Sequence, residues 1–219
     1  MLPYLQNLFH ALDFASMADA LLRVLAVLLC LTVHETCHGL AALALGDPTA
    51  KSLRRLSLNP LRHIDWFGLA MMFTVGFGWA KPVPVDPRYF RRPKQGMALT
   101  ALAGPASNFL LAALLIGMSK VISLYAPYTE LWVRVFDFCL YSAAPLSVGL
   151  GLFNLLPIPP LDGSKVLAAF LPDEAYVRLM RYERYGIFLL LALSWLGVTG
   201  GLIDGAIWGV YSALIHLFY

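Results

Sequence analysis

Two histidines and a glutamate interrupt an apolar stretch near the start of the chain. The segment LTVHETCHGL, residues 31–40, places His34, Glu35 and His38 inside an apolar run that covers residues 18–45. His34 and His38 are four residues apart, so on a helix both side chains lie on one face, one turn from each other. Two imidazole nitrogens at this spacing can bind one metal ion, with Glu35 beside them as a potential base. Ionisable groups at membrane depth are costly without partners, which indicates a functional site.

A metal site that keeps one position open for chemistry needs a third protein ligand. Asp162 ends the segment NLLPIPPLD, which closes the third apolar span, and the predicted topology places it at a depth similar to that of the histidines. We therefore expect Asp162 to be the third ligand. The other candidates lie in a basic loop or near a chain end without a partner motif: His10, His63, Asp65 and His216.

Two alternatives stay open for the polar cluster. Neighbouring helices could supply hydrogen-bond partners for the cluster, or the cluster could relay protons.

Cys37 borders the same helix face three residues after His34, where a thiolate could also bind a metal. We favour a small neutral residue that packs against the next spans, because thiols in apolar runs behave as small hydrophobes.

The composition is that of an integral membrane protein. Of the 219 residues 59% are hydrophobic and 13% are charged, where a soluble domain carries about a quarter charged residues. No stretch is long and polar enough to be an appended soluble domain, so we expect one membrane-embedded domain over residues 1–219.

The apolar runs predict an all-α fold with about five transmembrane helices. Three spans are followed by an amphipathic helical piece and a final hairpin of two short spans. Their approximate bounds are 18–45, 96–120, 131–157, 164–184, 186–199 and 202–218. The apolar residues 68–79 are too few to cross a membrane, and glycines and prolines follow them. We expect residues 73–85 to form a short membrane-embedded β-hairpin or re-entrant segment.

The basic residues predict the orientation. Nearly all of them lie in residues 46–67, 80–96 and 158–185, and residues 1–19 contain none. By the positive-inside rule these three segments are cytoplasmic and the N-terminus is outside. We therefore expect a multi-pass protein of the cell membrane whose active site lies near the cytoplasmic side.

Three motifs in this order resemble the site-2 proteases, the intramembrane zinc metalloproteases. They are HETCH in the first span, AGPASN in the second and NLLPIPPLDG at the end of the third. The intervening segments GDPTAKSLRRLSLNPLRHIDWFG and FGWAKPVPVDPRYFR are similar to the compact bacterial branch without a PDZ domain. The resemblance covers a catalytic core of about residues 18–170, and the C-terminal hairpin, about 186–218, carries no signature.

The resemblance implies a zinc metalloendopeptidase that hydrolyses peptide bonds within or near transmembrane segments. One Zn²⁺ per chain would be bound by His34, His38 and Asp162. Glu35 would be the general base for a water molecule that the metal activates. Asn154 is similar to a family asparagine that lies near the substrate backbone.

Further substrate contacts are expected from two places. Asn108, in AGPASN, is a candidate for the polar lining of the substrate site, and a helix-packing motif in which Gly104 allows close approach is the alternative. Residues 73–85, with Val75 and Phe77, resemble the family's hairpin region, which pairs with an extended substrate. The expected partners are transmembrane protein substrates and the lipid bilayer, and no nucleic acid.

Two other functions are compatible with a polar cluster in a membrane. A metal or proton transporter would need polar residues on successive helices across the whole membrane, and the outer halves of spans two and three offer few. A catalytically inactive family member could act as a membrane chaperone. The presence of all the expected catalytic residues argues against it.

Overall fold

The structure, a computed structural model, describes residues 17–68, 80–195 and 200–219. The described part is mostly helical. The helices are α1 (Met17–Ala44), α2 (Pro93–Tyr125), α3 (Glu130–Asn154), α4 (Asp162–Ala168), α5 (Asp173–Trp195) and α6 (Gly200–Phe218). Shorter turns of helix cover Thr49–Ser52, Pro60–Arg62 and Pro87–Tyr89.

Three of these helices are long and apolar enough to cross a membrane. The candidate spans are Leu21–Ala44, Pro93–Tyr125 and Glu130–Asn154, and Ile203–Phe218 is a shorter apolar helix. On α2, Leu110 and Leu114 lie one turn apart and each is 62% exposed, which suits a lipid-facing surface better than a water-facing one. The first three predicted spans are thus confirmed as helices. The total of five spans stays a prediction.

The core lies between α1, α2, α3 and α6, close to the middle of the bundle. Small side chains let the helices approach each other: Ala26, Cys30, Ala112, Cys139, Ala143 and Ala144 are each at most 1% exposed. Within α3 the segment Phe138–Ala143 is π-helical. The hydroxyl of Tyr211 on α6 donates a hydrogen bond to the carbonyl oxygen of Leu140 in this segment. The three cysteines are free thiols.

The end of α1 is set by Gly46. Its φ of +107° is in the region that favours glycine. The N–H of Gly46 donates to Leu43 O at 3.1 Å, and the N–H of Asp47 donates to Ala42 O at 2.9 Å. This pair of bonds is a Schellman motif, which ends a helix and satisfies its last carbonyls. It turns the chain so that Asp47 is fully buried directly after α1.

Helix boundaries after the third span differ from the predicted ones. The predicted amphipathic piece, 164–184, divides into α4 and the start of α5, and α5 continues through Gly186 without a break. Pro172 precedes α5, and Asp173 and Glu174 occupy its first turn, where carboxylates complement the helix dipole. Gly186 allows α5 to pass close to the chain after α3, because a Cβ there would lie 2.0 Å from Pro159 O.

The predicted hairpin at 73–85 falls largely on residues 69–79, which lie outside the described ranges. Val75 and Phe77 are among them. Of the described part, Ala80 forms an isolated antiparallel bridge with Ile64, and residues 81–86 are neither helix nor strand. The hairpin therefore stays a prediction.

Candidate metal centre

His34, His38 and Asp162 converge at the end of the helix bundle where α1 finishes and α2 begins. Nε2 of His34 and Nε2 of His38 are 3.0 Å apart, and each lies 3.1 Å from Oδ2 of Asp162. The three side chains are 3–9% exposed. Within the described ranges they are the one group of three or more His, Cys, Asp or Glu side chains close enough to share a metal ion.

The three atoms form a nearly equilateral triangle, which can be compared with a zinc site. Ligand atoms about 2.0–2.1 Å from a tetrahedral Zn²⁺ are separated by about 3.3 Å. The observed edges of 3.0–3.1 Å are close to this value. Two imidazoles and one carboxylate are also a donor set that catalytic zinc sites use. The residues present therefore fit a zinc ion with one open position.

The two histidines are placed by α1 alone, whereas Asp162 needs the turn after α3. Asp162 is the first residue of α4, and that helix packs against α2. Gly163 makes the turn possible, because a Cβ there would lie 2.1 Å from Leu155 O. The second carboxylate oxygen of Asp162, Oδ1, faces Lys165 at 3.9 Å. The geometry thus brings together the three residues that the sequence predicted as ligands.

One face of α2 supports both histidine rings. Thr100, Gly104 and Asn108 are spaced by four residues, so they lie on one face. Thr100 O accepts a hydrogen bond from Nδ1–H of His38 at 2.7 Å. A Cβ on Gly104 would lie 2.4 Å from Cε1 of His38 and 2.6 Å from Cε1 of His34. The glycine therefore makes room for the two rings, as the helix-packing alternative requires.

Asn108 lies behind His34, one of the three candidate ligands. It is fully buried, and its amide is 3.2 Å from Nδ1 of His34. Its main-chain carbonyl accepts from the hydroxyl of Ser147 on α3 at 2.8 Å, which fixes the backbone at this point. Outer partners of this kind set the orientation of a ligating histidine. The sequence left Asn108 open between a substrate lining and a helix-packing motif, and the structure places its amide beside His34, four residues after Gly104 on α2.

Glu35 borders the same cavity as the three ligand side chains. Its Oε2 accepts a hydrogen bond from the main-chain N–H of Val83 at 2.8 Å. The cavity has a volume of about 330 Å³, and Asn154, Met97 and Lys165 are also in its wall. The side-chain amide of Asn154 donates to Leu150 O at 3.0 Å, one turn earlier in α3. Glu35 and Asn154 therefore line the same cavity as His34, His38 and Asp162.

The remaining candidates lie elsewhere. His63 is buried and its Nε2–H donates to Ser57 O at 2.7 Å, within the basic loop. The hydroxyl of Thr36 on α1 donates to the same carbonyl and links the loop to the helix. Cys37 is a half-buried free thiol outside the triangle. His216 is exposed on the last turn of α6. His10 lies outside the described ranges.

Comparison with known proteins gives a consistent result. The sequence model of peptidase family M50 matches residues 116–194, a segment that contains Asp162 but neither histidine. A protein of Bacillus subtilis (strain 168), named "Putative zinc metalloprotease YwhC", is 37% identical over 179 residues, which are 80% of this chain and 81% of that protein. No solved structure matches the chain.

More distant relatives come from mycobacteria and carry the name "Putative zinc metalloprotease Rip2". The protein from Mycolicibacterium smegmatis is 28% identical over 171 residues, which are 76% of this chain and 63% of that protein. The protein from Mycobacterium tuberculosis (strain H37Rv) is 28% identical over 191 residues, which are 84% of this chain and 70% of that protein. Both matches are long enough to include most of the described helices.

Proposed function

The chain belongs to peptidase family M50, the site-2 protease family, and from this premise we propose that it cleaves membrane proteins within or near their transmembrane segments. Membership makes it a zinc metalloprotease with membrane-spanning helices. The proposal adds the place of cleavage, the residues that act and the class of substrate.

The observation that carries the proposal is the ligand triangle at the end of three long apolar helices. His34, His38 and Asp162 are buried and point at one another, and Glu35 borders the same cavity. We propose that the three side chains bind one zinc ion per chain. Zinc there would supply a Lewis acid that polarises a peptide carbonyl and acidifies a bound water molecule.

Glu35 is proposed as the general base. Its carboxylate would accept a proton from the attacking water molecule and later pass this proton to the leaving amine. The hydrogen bond from Val83 N–H holds one carboxylate oxygen in place, so the other oxygen is left for proton transfer. Asn154, in the wall of the cavity, would donate to the substrate backbone or to the developing oxyanion.

A transmembrane substrate must unwind before its backbone reaches this site, because the hydrogen-bond ladder of a helix shields the peptide bond. We propose that residues 73–85 receive the unwound segment by pairing with it as an added strand. Val75 and Phe77 belong to this proposal. In the described residues 81–86, the main-chain N–H groups of Lys81, Val83 and Asp86 already donate hydrogen bonds, and the two prolines carry no N–H group. Val85 is therefore the one remaining main-chain donor among these six residues. New pairing must therefore rely mainly on residues before 80.

The proposed location is the cell membrane, with about five spans and the active site at the cytoplasmic side. The ligand triangle lies at the end of the bundle from which the basic segments 46–67 and 80–96 extend. Under the positive-inside rule this end faces the cytoplasm, so water would enter from that side.

The test combines metal analysis with cleavage of a model transmembrane substrate by purified protein. We expect close to one zinc per chain in the wild type and in Glu35→Gln, with cleavage by the wild type alone. Gln keeps an oxygen that can accept from Val83 N–H, so the fold of the site is preserved while the base is removed. His34→Ala and Asp162→Ala should lose most of the zinc.

Each alternative has its own outcome in this experiment. Loss of zinc from Glu35→Gln would make Glu35 a ligand instead of a base. Zinc-loaded wild type that cleaves no transmembrane substrate would support a chaperone function. Full zinc retention by a His34→Ala/Asp162→Ala double variant would refute the ligand set.

A further inference from the structure

Residues 81–86, here called the strap, cross the cavity beside Glu35 and are anchored at their first end by the basic loop. Lys81 N–H donates to His63 O at 2.8 Å. The guanidinium of Arg55 donates to the carbonyl oxygens of Lys81 at 2.8 Å and Pro82 at 3.2 Å. Both carbonyls of this end are thereby held by one side chain. The start of the strap is fixed relative to the loop that follows α1.

The other end of the strap is anchored by Asp47. Oδ2 of Asp47 accepts from the main-chain N–H of Asp86 at 2.7 Å, and Oδ1 accepts from the N–H and the hydroxyl of Thr49. Asp47 is 0% exposed, so these donors replace water for a buried carboxylate. Asp86 is itself held by Arg88, whose hydrogen bonds lower the pKa of the Asp86 carboxyl. The Schellman turn at the end of α1 is what places Asp47 under the strap.

The middle of the strap contacts Glu35, the proposed general base. Val83 N–H donates to Oε2 of Glu35, and within the described ranges this is the one hydrogen bond of the Glu35 side chain. The Val83 side chain is 7% exposed and packs against Gly39, one turn after Glu35 on α1. Pro82 and Pro84 flank Val83, and each fixes its own φ, which stiffens the strap. The position of the Val83 N–H therefore depends on how the two ends are held.

From these contacts we propose that Asp47 is a positioning residue for Glu35, which acts by holding the strap so that Val83 N–H orients the carboxylate of the base. The proposal rests on the proposed function, in which Glu35 transfers the proton. Asp47 does not border the cavity, and the strap residue that it binds, Asp86, is three residues after Val83. Its effect must therefore pass through the main chain of the strap.

A purely structural role for Asp47 would have a different signature. An Asp47 that only closes the turn at Thr49 would change stability and leave turnover per zinc-loaded molecule unaltered. Loss of a positioning residue lowers kcat more than it changes KM, because a misoriented base weakens stabilisation of the transition state and leaves substrate binding in the ground state largely unchanged. Displacement of a reacting group by about 1 Å costs on the order of 100-fold in rate.

The experiment compares four variants of the full chain by zinc content, thermal midpoint, kcat and KM with a transmembrane substrate. Asp47→Ala removes the acceptors for both Asp86 and Thr49, and Thr49→Val is the matched control, because it removes the hydroxyl donor to Oδ1 and leaves the bond from Asp86 intact. Val83→Pro removes the donor to Glu35, and Val83→Ala keeps it. We expect zinc to stay bound in all four.

The expected result is a fall in kcat of about 10- to 100-fold in Asp47→Ala and in Val83→Pro, with KM changed by less than about threefold. Thr49→Val should keep kcat within about twofold of the wild type, and Val83→Ala should fall much less than Val83→Pro. Since Asp47 acts through Val83 N–H, adding Asp47→Ala to Val83→Pro should lower kcat no further.

A wild-type kcat in zinc-loaded Asp47→Ala would overturn the proposal, as would independent, multiplying losses in the double variant. Should Asp47→Ala fail to fold, Asp86→Pro takes its place, because proline lacks the main-chain N–H that donates to Oδ2 of Asp47, and a wild-type kcat there is equally decisive. A wild type that does not cleave, or cleaves as well after Glu35→Gln, would refute the proposed function instead. The two failures are therefore distinguishable.

Discussion

The amide of Asn108 lies 3.2 Å from Nδ1 of His34, the ring nitrogen opposite the one that faces Asp162. A histidine that binds a metal through Nε2 carries its proton on Nδ1 and needs an acceptor there. Oδ1 of Asn108 has no partner in the described part of the chain, so this oxygen is available once the amide is turned towards the ring. Thr100 O already fills the same role for His38.

Asn108→Ala should weaken zinc binding by about 10- to 100-fold, because His34 then loses the acceptor that holds its ring and its tautomer. The measurement is a zinc competition titration of purified protein with a chelator. Asn108→Asp is the matched control, since a carboxylate accepts the same proton, and it should bind zinc far more tightly than Asn108→Ala. Equal zinc affinity in wild type and Asn108→Ala would show that Asn108 does not support the ligand.

Gly104→Ala should also weaken zinc binding, through a steric effect. Its Cβ would lie 2.4–2.6 Å from atoms of the His38 and His34 rings, so the rings or α2 must move. Overpacking of this kind costs about 1–3 kcal/mol, which corresponds to about 5- to 150-fold in zinc affinity.

The control for this prediction is Gly205→Ala on α6, where an added Cβ meets no atom within 4 Å. This variant should keep wild-type zinc affinity in the same titration. If Gly104→Ala bound zinc as tightly as Gly205→Ala, the close approach of α2 to the histidines would not occur in the protein.

The proposed orientation predicts which positions can be labelled from each side of the membrane. In a background without Cys30, Cys37 and Cys139, Ser52→Cys and Arg91→Cys should react with an impermeant thiol reagent from the cytoplasmic side only. Both positions are exposed, whereas Phe90 beside the second is 5% exposed and unsuitable.

Tyr128→Cys supplies the opposite control, because Tyr128 is 97% exposed in the loop between α2 and α3, at the other end of both helices. It should react from outside only. Labelling of position 52 or 91 from outside would invert the topology, and with it the side from which water reaches the metal.

Proline substitutions at 74, 75 and 77 test the proposed substrate strand. Each removes a main-chain donor, and alanine at the same position keeps it. We expect the Val75→Pro variant to bind zinc and to lose cleavage of a transmembrane substrate, with Val75→Ala much less affected. If zinc-loaded proline variants at all three positions cleaved normally, substrate would not pair with this segment. Position 83 belongs to a separate test, because its N–H is bonded to Glu35.

Much of the site could be predicted from local pattern. The spacing of His34 and His38 places both rings on one helix face because helical geometry depends on neighbours in the chain. Apolar runs of sufficient length predicted three spans, since a membrane requires about 20 apolar residues per helix. Asp162 was predicted from its depth in the topology as well as from the resemblance to a family, and the structure places this side chain 3.1 Å from both histidines.

Only the tertiary structure decided what surrounds these residues. The close approach of α5 to Pro159 at Gly186 is a contact between distant segments, whereas the start of α5 after Pro172 has a local signal. The motif left Asn108 open between substrate lining and helix packing, and its contact with His34 is set by the packing of α2 against α1. The bonds from Val83 to Glu35 and from Asp86 to Asp47 have main-chain donors. A main-chain N–H is the same at every residue except proline, so the amino-acid sequence carries no mark of which ones bind.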